Sequence, residues 1–193
     1  PERTYDEIFT AMHKTTPESR HIDCQQCGYS SCRQMAEAIA KGYNQLSNCV
    51  YYEHVENMRL ITTNPLTGLQ NTGMFHRKLG EMLQTGNLAG YSVIYFNIRN
   101  FVLVNKRFGF SRGSEVIIEF SRMLSGMCDQ TESLFHAGGD TFFAVVRNEH
   151  VDRFLYDMNH LKLPLLRTGN DDYLYLSTRC GVYRMTGAEK TLE

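Results

Sequence analysis

Four cysteines fall within one short stretch, CQQCGYSSCRQMAEAIAKGYNQLSNC, at Cys24, Cys27, Cys32 and Cys49. Their spacing, C-x2-C-x4-C-x16-C, puts three thiols around a glycine turn and the fourth beyond a helical stretch. Thiolates that lead closely into a helix can converge on one centre, and the distant cysteine closes the set when the chain folds back. Zinc competes for the same donors, because four thiolates also suit a tetrahedral ion. A small core filled by cysteines is the plain structural alternative, and disulfides are disfavoured in a reducing compartment.

The rest of the composition sets limits on partners. The chain has 193 residues, 42% of them hydrophobic, and 20 basic against 21 acidic side chains. That balance argues against the broad basic face that duplex nucleic acid requires, so no nucleic acid is expected as a partner. No apolar run approaches the ~20 residues that cross a bilayer, so no membrane partner is expected and a cytoplasmic location is the default. The start at Pro1 and the ending KTLE suggest a piece of a longer protein.

Periodicity divides the chain. In TYDEIFTAM, Thr4 and Glu7 have capping-box spacing, and Tyr5, Ile8, Phe9 and Met12 share one helical face. Thr16 and Pro17 open a second short helix, SCRQMAEAIAKG is helical up to Gly42, and a further helix carries Val50, His54, Val55, Met58 and Ile61. A boundary is expected just before Asn64-Pro65, since the residue before proline resists the α conformation. The organisation expected is a helical four-cysteine domain over 1–52, a linker helix over 53–63 and a second domain over 64–193.

That second domain mixes the two periods. GYSVIYFNI reads as a buried strand, SEVIIEFSRML as a helix, ESLFHAGGDTFFAVV as two strands around Gly138 and Gly139, HVDRFLYDMNHL as a helix, and DYLYLSTRCGVYRM as one long strand. Strands and helices alternating around an antiparallel hairpin make the fold class α+β, an α/β sandwich of ferredoxin-like kind.

Three motifs in order, NPLTGLQN at 64–71, FNIRNFVLVNKRFGFSRGSEVI at 96–117 and AGGDTF at 137–142, resemble the GGDEF family of diguanylate cyclases. The resemblance implies a palm-like sheet of the nucleotide cyclase type that joins two GTP molecules into cyclic di-GMP with Mg²⁺, working as a homodimer, with a last helix that would lie beyond residue 193. It also implies departures. Asn97 stands where the family has a metal-binding Asp, Arg99 where many members have a second, and Thr141 where the signature has Glu, which leaves Asp140 as a vestige. Of the guanine-reading pair Asn105 is retained and Ser114 replaces an Asp; Val102 replaces a lysine near the triphosphate, and His136 an arginine before the signature. The family's Arg-x-x-Asp product site falls on Asp129 and Glu132, whose charge is wrong for a phosphate. One lost electrostatic group costs roughly 3–4 kcal/mol, about a hundred- to a thousandfold in rate, so the site reads as degenerate.

Residues 13–52 resemble the small four-cysteine [4Fe-4S] domain of iron-only hydrogenase-like proteins, with Cys24, Cys27, Cys32 and Cys49 as cluster ligands and zinc as the alternative occupant. Cys128 and Cys180 read as buried packing residues, and the acids of NDDY at 170–173 as a polar turn. His13 and His21 have no necessary role beside four thiols, and His54, His76, His136, His150 and His160 lack ligand spacing and read as solvated or capping.

Together these features point to a signalling module in which a redox-sensing or electron-relaying cluster is coupled to an inactive GGDEF domain that binds nucleotide or protein. An active diguanylate cyclase and an electron-transfer module of a hydrogenase-like complex are the alternatives. Partners would be other domains of a longer chain, a redox protein or a guanine nucleotide.

Overall fold

The computed structural model describes residues 4–164 and 173–191. The chain separates into two compact units, Pro1–Ile61 and Thr62–Glu193.

The first unit is helical. Helix α1 spans Tyr5–Ala11 and begins with the expected capping box: the Thr4 side chain accepts from the Glu7 backbone, and the Glu7 carboxylate accepts the Thr4 N–H at 2.8 Å. Helix α2, Pro17–Arg20, has Thr16 as its cap and proline at its first position, where the missing N–H costs nothing. Helix α3, Cys32–Ala40, starts on Ser31, whose side chain accepts the Gln34 N–H. A single 3₁₀ turn, Leu46–Asn48, then leads through Cys49 into α4, Val50–Thr62. Ile8, Phe9, Met12, Met35 and Ala36 form the core together with Cys32 and Cys49. So few apolar side chains supply little net stability, since a core below ~70 residues rarely gives more than ~3–5 kcal/mol without a staple.

The second unit opens with α5, Thr72–Thr85, and then runs β1 (Tyr91–Ile98), α6 (Phe101–Phe108), α7 (Phe110–Ser125), β2 (Ser133–Gly138), β3 (Thr141–Arg147), α8 (Val151–Asn159), the short β4 and β5 (Lys162–Pro164 and Tyr173–Tyr175), and β6 (Thr178–Arg184). The main sheet has the order β2-β3-β1-β6, with β1 antiparallel to both β3 and β6. This is the ferredoxin-like arrangement expected from the alternation of strands and helices. Alternation along β1 sends Ile94, Phe96 and Ile98 to one face, where they meet Val116, Ile117, Phe120 and Leu124 of α7 and Phe154 and Met158 of α8. The opposite face packs Val93, Phe143 and Val145 against Phe75 and Met82 of α5.

The expectation of one long strand over 172–185 fails. Tyr173–Tyr175 pairs with β4 in a separate two-stranded sheet, while Thr178–Arg184 joins the main sheet as its edge. Between them Leu176 drops into the core and the Ser177 carbonyl accepts the Arg99 N–H at 2.8 Å, so the backbone cannot continue one ladder. Cys180 is a second correction: it lies on the edge strand β6 and is exposed. Cys128 is partly buried against the main core, and burial, with help from Glu132 and Asp129, pushes its thiol up to about 12. Residues 170–172, which hold the two acids of the expected polar turn, lie outside the described residues.

Candidate functional site

The chemistry-bearing side chains expected from the sequence gather chiefly at two places, one in each unit. In the first, Cys24, Cys27, Cys32 and Cys49 all line a single pocket, together with Met12, Lys14, Asp23 and Met35. The loop between α2 and α3 brings them there by an unusual path: Asp23 and Gln25 hold φ of 42° and 59°, left-handed values that cost a non-glycine residue ~1–3 kcal/mol. Cys32 is the first residue of α3, and its N–H donates to Asp23 Oδ1 at 2.6 Å. That backbone donor is the main reason the Asp23 carboxyl is held below its ordinary range. Cys32 and Cys49 are buried, Cys27 is half-buried and Cys24 exposed, and all are free thiols. His13 turns away to contact Glu56 Oε1 at 2.5 Å and stack on Tyr52, and His21 bonds the Pro17 carbonyl. A soft, all-sulfur donor set fits a thiolate-ligated metal centre.

The second place is the end of the sheet where β1 meets the β2–β3 hairpin. Gly139 takes φ of 56° in the two-residue turn Gly139-Asp140, which is why glycine is needed there. Asn97 and Thr141 stand directly opposite one another on β1 and β3, and the Ile98 N–H donates to the Asp140 carbonyl at 3.2 Å. The hairpin thus brings Asn97, Asp140 and Thr141 together. Among the described residues the buried Asn97 Oδ1 has no hydrogen-bond partner, whereas most buried polar atoms are paired. Arg99 is exposed.

His136 props this turn from beneath. It is only 1% exposed, stacks on Phe142 with ring centroids 4.5 Å apart, and its Nε2 lies 2.9 Å from the Gly139 carbonyl. Burial lowers its affinity for a proton, against the Gly139 bond, so the neutral ring donates from Nε2 and accepts the Thr67 hydroxyl at Nδ1, 3.0 Å away. The solvated role expected for His136 is therefore wrong: a register shift between His136 and Gly138 accompanies its buried position.

Asn105 on α6 and Ser114 on α7 are half-buried on neighbouring helices. Asn105 Oδ1 occupies the space beside Gly113, where a Cβ would stand 1.9 Å from it, so a larger residue there would force the amide to turn. Val102, at the position of the lost lysine, is 63% exposed.

A third cluster was not visible in sequence spacing. Ligand atoms of Asp129, Glu132 and His150 lie within 4.8 Å of one another; His150 also stands at the N-cap of α8, as a capping role implies, without a side-chain cap bond. Most of their hydrogen-bonding atoms are engaged within the protein. Glu132, buried, accepts from the backbones of Asp129 and Arg147 and contacts His150 Nδ1 at 2.9 Å, while Asp129 accepts from the Thr131 N–H and hydroxyl. Among the described residues, no helix is long and apolar enough to cross a membrane.

Residues 61–193 match the family profile described as "Diguanylate cyclase, GGDEF domain". Residues 21–51 match the one described as "Putative Fe-S cluster". Among characterised relatives, Diguanylate cyclase DgcP of Escherichia coli is 28% identical over 93 residues, which is 47% of this chain and 27% of that protein's length. The diguanylate cyclase/phosphodiesterase of Caldicellulosiruptor saccharolyticus superposes with a TM-score of 0.60 at 19% identity, covering 68% of this chain and 80% of that one. The coiled coil and GGDEF domain of DgcB from Caulobacter crescentus, solved with c-di-GMP, gives 0.56 at 20% identity, with 77% and 80% covered. At these identities the solved structures speak for the fold.

Proposed function

The chain belongs to the GGDEF domain family through residues 61–193, and from that premise we propose that it is a regulatory module of cyclic di-GMP signalling, in which an iron–sulfur domain controls a palm that binds guanine nucleotide without joining two of them. The domain assignment is an iron–sulfur domain over 1–52, a linker helix over 53–63 and a degenerate GGDEF domain over 64–193.

The observation that carries the inactive reading is the pairing of Asn97 with Thr141. Hard Mg²⁺ is held by carboxylates and phosphates, and two-ion phosphoryl chemistry needs charge at both the attacking and the leaving oxygen. An amide faces a hydroxyl here, Asp140 alone keeps its carboxylate, and Arg99 is close in sequence with a positive charge. This donor set does not fit a two-ion centre. The unpartnered Oδ1 of Asn97 supports a polar occupant at that end of the sheet, and Asn105 keeps an amide suited to a purine edge.

For the first domain, four thiols lining one pocket support a cluster, with zinc as the competing occupant. Cys24, Cys27, Cys32 and Cys49 would hold the group, and when bound it would supply one-electron redox chemistry. Cys49 immediately precedes α4, so loss of the centre would free a residue at the base of the helix that runs to Thr62. A change of a few kcal/mol there is enough to shift a two-state arrangement. Other domains of a longer chain, a redox partner or a second copy would receive the signal.

The test is GTP calorimetry with Mg²⁺ on anaerobically purified protein, with product analysis of the same sample. Binding without cyclic di-GMP is expected. Turnover would make the protein a cyclase with altered metal ligands, and a complete lack of binding would move the output to protein docking.

A further inference from the structure

Lys14 is 1% exposed and, among the described residues, the only buried lysine. Its Nζ donates to the Ser19 carbonyl at 2.8 Å and lies 4.2 Å from the centre of the Tyr51 ring. Both partners are neutral. An ammonium taken out of water is costly unless negative charge compensates it. Among the described residues, the acid that interacts electrostatically with it is Asp23, whose Oδ1 also accepts the Cys32 N–H.

Beyond Asp23, a larger source of negative charge lies in the same pocket. Lys14 lines the same pocket as Cys24, Cys27, Cys32 and Cys49. Four thiols become four thiolates when they bind a cluster, and the assembly then carries net negative charge in a low-dielectric setting. We propose that Lys14 is the buried counter-cation of this iron–sulfur site, fixing its reduction potential and favouring its assembly. The proposal rests on reading the cysteine pocket as an iron–sulfur centre.

The physical step is simple. Reduction takes one electron from an external donor, breaks no iron–cysteine bond and leaves the centre more negative by one charge. A nearby buried ammonium stabilises the reduced form more than the oxidised form, so its removal lowers the potential. Tyr51, the second residue of α4, bears the cation on its ring, which ties the charge of the pocket to the start of that helix.

The experiment compares the full chain with Lys14→Met, which keeps the length and removes the charge, and with Lys14→Arg, which keeps the charge. All three are reconstituted anaerobically with iron and sulfide, assayed for iron and acid-labile sulfide, and titrated with dithionite while the spectrum is followed. At the wild-type midpoint, Lys14→Met is expected to shift the ratio of oxidised to reduced centre about tenfold toward oxidised, which is about 59 mV for a one-electron couple. Lys14→Arg is expected to restore most of that shift. A Lys14→Met protein with full iron content and an unchanged midpoint overturns the proposal while leaving the cluster reading intact. Loss of the cluster in Lys14→Met but not in Lys14→Arg supports it, whereas loss in both shows a packing role and overturns it. A wild-type chain that takes up no iron or sulfide overturns the iron–sulfur reading and this proposal together.

Discussion

The cysteine pocket and the hairpin end of the sheet are opposites. The first has a full set of donors on a scaffold too small to be stable by its own core: four thiols, and fewer than ten fully buried apolar side chains around them. The second has a full scaffold, with two layers of packing across a four-stranded sheet, and an eroded set of donors at its edge. Where donors hold the fold together, losing one is losing the domain; where packing holds it, donors can drift and the fold persists.

The largest effect that sharpens this contrast is expected from Cys49→Ser. A metal centre's binding energy in a small domain is also folding energy, so the variant should lose bound iron together with the thermal transition of the first unit and leave the second unit's transition in place. Iron content and two-transition calorimetry check it. Next comes Phe142→Ala in the second unit, where the ring is fully buried and stacks on both Phe96 and His136. A loss of about 3–5 kcal/mol is expected from denaturant melts, with iron content unchanged.

His136 gives a smaller, pH-dependent effect. Its proton affinity is lower in the folded state than in the unfolded one, so the unfolded chain binds the extra proton. Stability from this group is therefore complete above pH ~6.5, the unfolded value, and is lost as the pH falls from there toward the folded value. Melts of His136→Gln should show a flatter pH slope in that window than the wild type; an identical slope would contradict the buried neutral ring. The smallest effect is expected from Asn97→Leu. Removing an unpartnered buried oxygen should be neutral or stabilising by up to about 1–2 kcal/mol, whereas a clear destabilisation would mean that Oδ1 already has a partner.

The contrast also explains how far the sequence could be read. Strand β1 was legible because Ile94, Phe96 and Ile98 alternate with outward residues, and α1 because Thr4 and Glu7 stand three apart. The palm's motifs lie in single runs of chain, so Asn97, Asp140 and Thr141 could be named before the register set Asn97 against Thr141. The helices at 72–85 and 101–108 are not evident from the sequence although Gly86 and Gly109 stop them, because Asn100 enters the second in a left-handed conformation and without a side-chain cap bond. Lys14 was invisible because lysine almost always marks solvent, and only the convergence of α1, the loop and α4 buries it. The Asp129, Glu132 and His150 cluster joins residues up to 21 apart through strand pairing, which no local spacing encodes. Cys180 was misjudged because an apolar strand pattern does not tell an edge strand from a central one.

The most direct test of the central claim is the Mg²⁺ dependence of GTP affinity, measured by calorimetry on the wild type and on Asn97→Asp/Thr141→Glu side by side. Depleted donors predict a wild-type affinity that changes less than about twofold with Mg²⁺, and a gain of about tenfold or more with Mg²⁺ once the two carboxylates are restored. A wild-type affinity that rises with Mg²⁺ as steeply as the variant's would show that the neutral pair still holds the ion, and would contradict the account of an eroded site on an intact scaffold.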